Sequence, residues 1–191
     1  GLNASGVAQY KMTPEVAQAE VEWLVAAGVN IRCGVSVGKD VSVSELESRH
    51  DALFIGVGMG AIPGIQIAGE ELPGVWDGLD LIAALKQGDR EVFELLRGAR
   101  VAVIGGGNTA IDVVTQASRA GAAKVWLVYR RGREQMSAYA HEVELAREHG
   151  VELVLHAVPH RVVGPSRGLS PRTSRVAGLE FGRKLPDGGE R

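Results

Sequence analysis

The sequence predicts an α/β fold in which helices flank a parallel sheet. Three observations support this prediction. Apolar runs of strand length, rich in Val, Leu and Ile, occur at 101–104, 124–129 and 151–158. Helical periodicity fills the intervals between them, at 108–120 and 137–149, and a glycine-rich turn directly follows the first run. Strands that alternate with helices in this way form β-α-β units, whose strands run parallel.

The glycine-rich turn predicts a dinucleotide site. Residues 101–110 spell V-A-V-I-G-G-G-N-T-A and fit the pattern G-x-G-x-x-A at Gly105, Gly107 and Ala110. The first glycine permits the sharp turn out of the strand, the second lets a pyrophosphate approach the backbone, and the alanine lets the helix pack close. A helix that starts near Asn108 directs free N–H groups and the positive end of its dipole at the phosphates.

Basic residues follow the second predicted strand, where a dinucleotide site recognises the adenosine ribose. An NAD site has Asp or Glu at this offset, whereas this chain has Arg130 and Arg131, with Arg133 close behind. Guanidinium groups pair with a 2′-phosphate that a carboxylate would repel. We therefore predict NADPH rather than NADH as the ligand. The alternatives for this R-R-G-R stretch are a solvated surface turn or a nucleic-acid patch.

The first part of the chain predicts helix, strand, turn and strand. Residues 1–12 are glycine-rich and predict a loop; Thr13 and Pro14 start a helix that ends at Gly28. Strands are predicted at 29–33 and 52–57, the second ending at Gly58. Between them lies a short helix around 44–47, capped by Ser44 or Ser42. Residues 13–58 thus look like the later part of a second nucleotide-binding fold that lacks its opening strand and glycine turn.

The remaining segments connect and complete these units. Residues 60–74 have the composition of a connector, and 78–86 and 90–96 show helical patterns. Pro159 is predicted to interrupt the strand over 151–158. A basic loop at 164–174 and a strand at 175–183 follow.

Composition limits the class of protein. The chain has 191 residues, is 45% hydrophobic and 23% charged, and carries a net charge of −2, which argues against nucleic acid as the main partner. A single cysteine, Cys33, excludes an internal disulfide and a Cys-x-x-Cys redox pair. There is no basic-then-apolar signal segment and no apolar run of membrane-spanning length. A cytoplasmic protein without a membrane partner is the expectation.

No side chain is predicted to be catalytic and none to ligate a metal. The histidines form two pairs, His141 with His149 and His156 with His160, but no third ligand completes a metal set. There is no Ser-His-Asp order or nucleophile elbow. Hydride transfer between cofactors needs neither, because the cofactors supply the chemistry and the protein orients them.

Five stretches together resemble a known family: 1–12, 51–58, 73–80, 103–112 and 128–136. They are similar in order and spacing to the small, flavin-carrying subunit of NADPH-dependent glutamate synthase and to the matching part of dihydropyrimidine dehydrogenase. Both are relatives of the FAD-dependent pyridine nucleotide-disulfide oxidoreductases. The resemblance covers nearly the whole chain. It lacks the family's FAD fingerprint, its iron–sulfur cysteines and its C-terminal FAD segment.

The resemblance implies a function and a set of cofactor-binding residues. Members bind FAD in one domain and NADPH in a second domain inserted into it, and electrons leave through iron–sulfur clusters to a partner. By resemblance the NADPH contacts are Gly105, Gly106, Gly107, Asn108, Thr109, Ala110, Arg130 and Arg131, and the FAD contacts are Leu2, Lys11, Val37 and Gly58.

These inferences combine into one expectation. Residues 1–64 are a partial FAD-binding Rossmann-like domain, 65–98 are connector helices, and 99–191 are an NADPH-binding Rossmann-like domain. The expected function is passage of hydride from NADPH to FAD and of electrons to a partner such as a glutamate synthase large subunit. The alternative is a non-catalytic NADP(H)-binding module that has lost its flavin half.

Overall fold

A computed structural model describes residues 1–58, 60, 63–164 and 176–183 of the chain. The chain divides into two compact units, one formed by Gly1–Pro14 with Pro63–Arg191 and the other by Glu15–Ile62. The described helices are α1 (Leu2–Ser5), α2 (Pro14–Ala26), α3 (Val43–Arg49), α4 (Gly78–Lys86), α5 (Arg90–Leu96), α6 (Asn108–Arg119) and α7 (Ala140–Glu148). The strands are β1 (Arg100–Ile104), β2 (Lys124–Val128), β3 (Glu152–Val154), β4 (Ala157–Val163) and β5 (Gly178–Arg183).

The larger unit contains a three-stranded parallel sheet in the order β1-β2-β3. Arg100 pairs with Lys124 at one end of the register and Ile104 with Val128 at the other, so β1 and β2 end at the same edge. Helices connect these strands, as the alternating pattern of the sequence predicts. The α/β fold with a parallel sheet is confirmed.

Helix α6 lies at the centre of the packing. It contacts β1, β2, α4 and α7, and Ile111 and Val114 on it are completely buried. Leu127 of β2 and Ile82 of α4 are equally buried and belong to the same core. Burial of these side chains fixes α6 against the sheet, and with it the turn from which α6 starts.

The region after β3 differs from the predicted single strand over 151–158. The chain leaves β3 after Val154, turns at His156 with φ of 56°, and continues as β4, which pairs antiparallel with β5. Pro159 lies within β4 and not at its end, because the ladder shifts register between Pro159 and Arg161. A bulge of this kind spares the sheet the hydrogen bond that proline cannot donate.

The smaller unit contains α3 and all of α2 except its first residue. Ser42 caps α3 and forms a capping box with Glu45, which confirms one of the two predicted caps. Both predicted strands, at 29–33 and 52–57, are wrong: no described residue there lies in a strand, and the side chains of Phe54 and Val57 are 97% and 87% exposed. An apolar run becomes a strand only beside another strand, and the described residues of this unit provide none.

Two further differences are local. Residues 1–12 contain the short helix α1 where a loop is predicted. The helix predicted from 137 begins at Ala140, after a 3-10 turn at Arg133–Gln135. Cys33 is exposed. Across the described ranges, no helix is both long and apolar enough to cross a membrane.

Candidate functional site

The turn between β1 and α6 closes as the glycine pattern requires. Gly105 has φ of 148°, a conformation that side chains disfavour, and its N–H donates to the carbonyl oxygen of Val128 at 3.0 Å. A Cβ atom on Gly105 would lie 3.0 Å from the Cβ of Ala110. The first glycine and the alanine of the pattern are therefore both needed for the helix to start this close to the strand.

Gly106 is the tightest position of the turn, which sequence reasoning missed. A Cβ atom there would lie 2.6–2.8 Å from three carbons of the Tyr129 ring. That ring is fixed in turn, because its hydroxyl donates to the carbonyl oxygen of Gln135 at 2.7 Å. The middle glycine thus serves packing against the end of β2, independently of any ligand.

The first turn of α6 keeps its N–H groups available. Gly107 is the N-cap residue and provides no capping side chain. A Cβ atom on it would have only the Ser137 hydroxyl oxygen nearby, at 3.5 Å. Asn108 and Thr109 begin the helix, and the Asn108 side-chain oxygen accepts a hydrogen bond from the Tyr139 backbone at 3.1 Å. This open, uncapped helix start has the form of an anion site.

The basic residues after β2 divide into two kinds. Arg130 and Arg131 are exposed, and neither guanidinium has an anionic partner within the part of the chain that the structure describes. Arg133 pairs with Glu144, which also binds Arg147 at 3.0 Å. The hydrogen bond from Arg133 lowers the pKa of Glu144. Two of the three arginines therefore remain available for an anion at the sheet edge where β1 and β2 end.

The four residues expected to contact FAD lie in both units. Leu2 and Lys11 belong to the larger unit, Val37 and Gly58 to the smaller one. Leu2 and Val37 are exposed, and Gly58 has φ of 75°. Lys11 makes ion pairs within the larger unit. The FAD contacts stay a prediction.

Asp112, one helical turn beyond Asn108, anchors the N-terminal segment of residues 1–12. Its carboxylate binds the Lys11 ammonium at 2.6 Å, accepts the Tyr10 hydroxyl at 2.8 Å, and accepts the Ala8 backbone N–H at 3.4 Å. Lys11 also pairs with Glu142 of α7, at 2.7 Å. The sequence suggests only local hydrogen bonding for Asp112, which is wrong, since these partners are about a hundred positions away. A carboxylate among the buried positions of α6 is the signal that could have indicated it.

Two further contacts hold the same segment. The Arg119 guanidinium lies 4.6 Å from the centre of the Tyr10 ring. The buried Lys86 of α4 donates to the carbonyl oxygens of Asn3 at 2.6 Å and Val7 at 3.1 Å, and burial lowers its pKa. The N-terminal segment is therefore bound to α4, α6 and α7 through buried polar groups.

We expect the stability of this arrangement to fall at alkaline pH. Burial opposes the charge of Lys11, but the carboxylates of Asp112 and Glu142 outweigh it and raise the pKa of Lys11. Burial and the hydrogen bond to Asp112 also raise the pKa of Tyr10. Raised folded-state pKa values stabilise the fold fully below the unfolded values, near pH 10, and that stability is lost as the pH rises through the folded values.

Thermal unfolding measured between about pH 8 and pH 11 checks this expectation for the range in which Lys and Tyr titrate. The Lys11→Met variant should have a lower melting temperature at pH 8 and a shallower decline with pH than the wild type. Parallel curves for the two proteins would contradict it.

Comparison with known proteins agrees with this geometry. Residues 4–181 match the family described as pyridine nucleotide-disulphide oxidoreductase. The chain belongs to this family. Relatives in it include the glutamate synthase [NADPH] small chain of Escherichia coli, 37% identical over 83% of this chain and 35% of that one, and its counterpart from Halomonas elongata, 34% identical over 98% and 42%.

Other members of the family have different partners in their names. The NADP(+)-dependent formate dehydrogenase subunit beta of Moorella thermoacetica is 35% identical over 94% of this chain and 24% of that protein. Among solved structures, FprA of Mycobacterium tuberculosis in complex with NADPH superposes with a TM-score of 0.64 at 20% identity, covering 95% of this chain and 57% of FprA. The chain spans between a quarter and about two fifths of these three curated relatives.

Proposed function

We propose that this chain is the NADPH-binding part of a flavoprotein oxidoreductase of the glutamate synthase small-subunit type. The observation that carries the proposal is the meeting of an uncapped helix start with two unpaired arginines at one edge of the parallel sheet. Relatives across the family are named as NADPH-dependent or NADP-dependent enzymes, which agrees with this site.

The residues at this edge fit the nucleotide. The open space in front of Gly107 admits a pyrophosphate, and the N–H groups of Asn108 and Thr109 are placed to donate to it. Arg130 and Arg131 would hold the 2′-phosphate, with bidentate hydrogen bonds that an NAD site cannot offer. NADPH supplies the hydride when bound, and these residues bind and orient it.

The flavin side of the proposal rests on the family. FAD would accept the hydride, and Leu2, Lys11, Val37 and Gly58 are proposed to contact it. Electrons would then pass to an electron-accepting subunit or domain, in the manner of a glutamate synthase large subunit, through iron–sulfur clusters outside this chain. A cytoplasmic location and the division at residues 1–64, 65–98 and 99–191 belong to the same proposal.

A second candidate function is a non-catalytic NADP(H)-binding module. The exposed apolar segment over 52–58, with no strand beside it, favours this candidate. Absorbance of the purified protein distinguishes the two: bound flavin near stoichiometry supports the oxidoreductase, and a colourless protein that binds NADPH supports the module.

We expect 2′,5′-ADP to bind at least about tenfold more tightly than 5′-AMP, because charge-assisted hydrogen bonds to the extra phosphate contribute about 1.5–3 kcal/mol. Arg130→Ala should remove most of that preference, as measured by isothermal titration calorimetry. Arg97→Ala is the matched control, since Arg97 is an exposed arginine that precedes β1, at the opposite edge of the sheet. Equal affinity of the wild type for both nucleotides would overturn the assignment of NADPH.

A further inference from the structure

His156 has a backbone conformation that its side chain disfavours. Its φ of 56° lies in the left-handed region, which among the described non-glycine residues only Gln66 shares. Strained residues of this kind persist where the surroundings hold them, and they concentrate at functional sites. The position of His156 in the sheet therefore needs an explanation.

Backbone hydrogen bonds fix His156 to the loop that carries the two arginines. Its N–H donates to the carbonyl oxygen of Arg131 at 3.2 Å, and the next N–H, that of Ala157, donates to the carbonyl oxygen of Tyr129 at 3.0 Å. The left-handed turn thus holds the chain after β3 directly against the chain after β2.

The imidazole ring lies over this loop. A Cβ atom on the buried Gly132 would be 3.3 Å from Cε1 and 3.5 Å from Nε2 of His156. The histidine is itself exposed. Its ring therefore stands at the carboxyl edge of the parallel sheet, beside Arg131, where open α/β sheets bind their ligands.

One carboxylate shares this rim. An oxygen of Glu134 lies 2.6 Å from the same point above Gly132, and Glu134 is exposed. The neighbouring Arg133 is paired with Glu144. The groups facing the rim are thus Arg130, Arg131 and His156 as donors, and Glu134 as the one opposing charge among the residues named here.

We propose that His156 is a third binding group for the 2′-phosphate of the nucleotide, with a ring N–H that donates to a phosphate oxygen next to the guanidiniums of Arg130 and Arg131. Glu134 opposes the same phosphate and limits its affinity. The proposal rests on the proposed function, because it assigns a further specificity-determining residue to that site.

The test compares His156→Asn with Glu134→Gln. Asparagine tolerates the left-handed backbone, so His156→Asn removes the imidazole and keeps the turn. We expect it to weaken 2′,5′-ADP binding about fivefold and to leave 5′-AMP binding unchanged. Glu134→Gln removes a repulsion and should strengthen 2′,5′-ADP binding about twofold, again without effect on 5′-AMP.

Two additional variants separate binding from structure. His156→Gly, which suits the left-handed backbone still better, must reproduce the loss seen with asparagine. His160→Asn replaces another exposed histidine, four positions along on β4, and should change neither affinity.

The outcomes are distinct. An equal loss of affinity for both nucleotides, or no loss in either His156 variant, overturns the role of His156 while the preference of the wild type for 2′,5′-ADP still supports the proposed function. A wild type without that preference overturns both.

Discussion

Replacement of Asp112 by alanine is expected to destabilise the larger unit by about 3 kcal/mol, because breaking a buried ion pair leaves its partners uncompensated. Asp112 is 4% exposed, and three groups of the N-terminal segment depend on its carboxylate: the Lys11 ammonium, the Tyr10 hydroxyl and the Ala8 N–H. Chemical unfolding measures the loss, and hydrogen exchange over residues 1–12 should show that this segment opens first.

Two matched variants define what the carboxylate contributes. Asp112→Asn keeps an acceptor for Tyr10 but no charge for Lys11, so we expect a loss between the wild type and the alanine variant. Asp80→Ala removes an exposed aspartate from the first turn of α4 and should cost less than about 1 kcal/mol. An alanine variant at position 112 as stable as the wild type would show that the segment is held mainly by Lys86 and apolar contacts.

Replacement of Gly106 by valine is expected to abolish nucleotide binding and to lower the melting temperature. Its side chain would occupy the space of the Tyr129 ring, whose nearest carbon is 2.6 Å from the added Cβ. Overpacking of this kind costs about 1–3 kcal/mol. Displacing Tyr129 also moves the end of β2 and the arginines that follow it. Calorimetry with 2′,5′-ADP and thermal unfolding measure the two effects.

The neighbouring glycine provides the control. Gly107→Ala meets only the Ser137 hydroxyl oxygen, at 3.5 Å, so its melting temperature should match that of the wild type. Its methyl group would nevertheless stand where the pyrophosphate is proposed to approach, and binding should weaken. In the Gly106→Ala background, Tyr129→Leu should restore stability by relieving the clash. A valine variant at position 106 with normal stability would contradict the packing role of that glycine.

The sequence predicts those parts of the fold that local patterns determine. The strand, glycine turn and helix from 101 to 119 follow from short-range sterics, because a turn as tight as that at Gly105 excludes most other residues. Helices α4 and α5 have the predicted bounds, and each starts at an aspartate that caps it. Membership of the oxidoreductase family is confirmed as well.

The features that sequence reasoning missed depend on distant residues. The apolar run at 52–57 shows which side chains favour burial but not whether a neighbouring strand is present. Asp112 finds its partners only when the N-terminal segment folds back. The turn at His156 is set by hydrogen bonds from another loop, and no local sequence signal for a left-handed histidine exists.

The separation between Tyr10 and Asp112 also matters while the protein is being made. The two residues that share this hydrogen bond are 102 positions apart, and ribosomes add roughly 5–20 residues per second. The first dozen residues therefore wait for several seconds after leaving the ribosome before the helix that binds them has been translated. During that interval Lys11 and Tyr10 remain in water, and the nascent chain relies on other means to stay out of trouble.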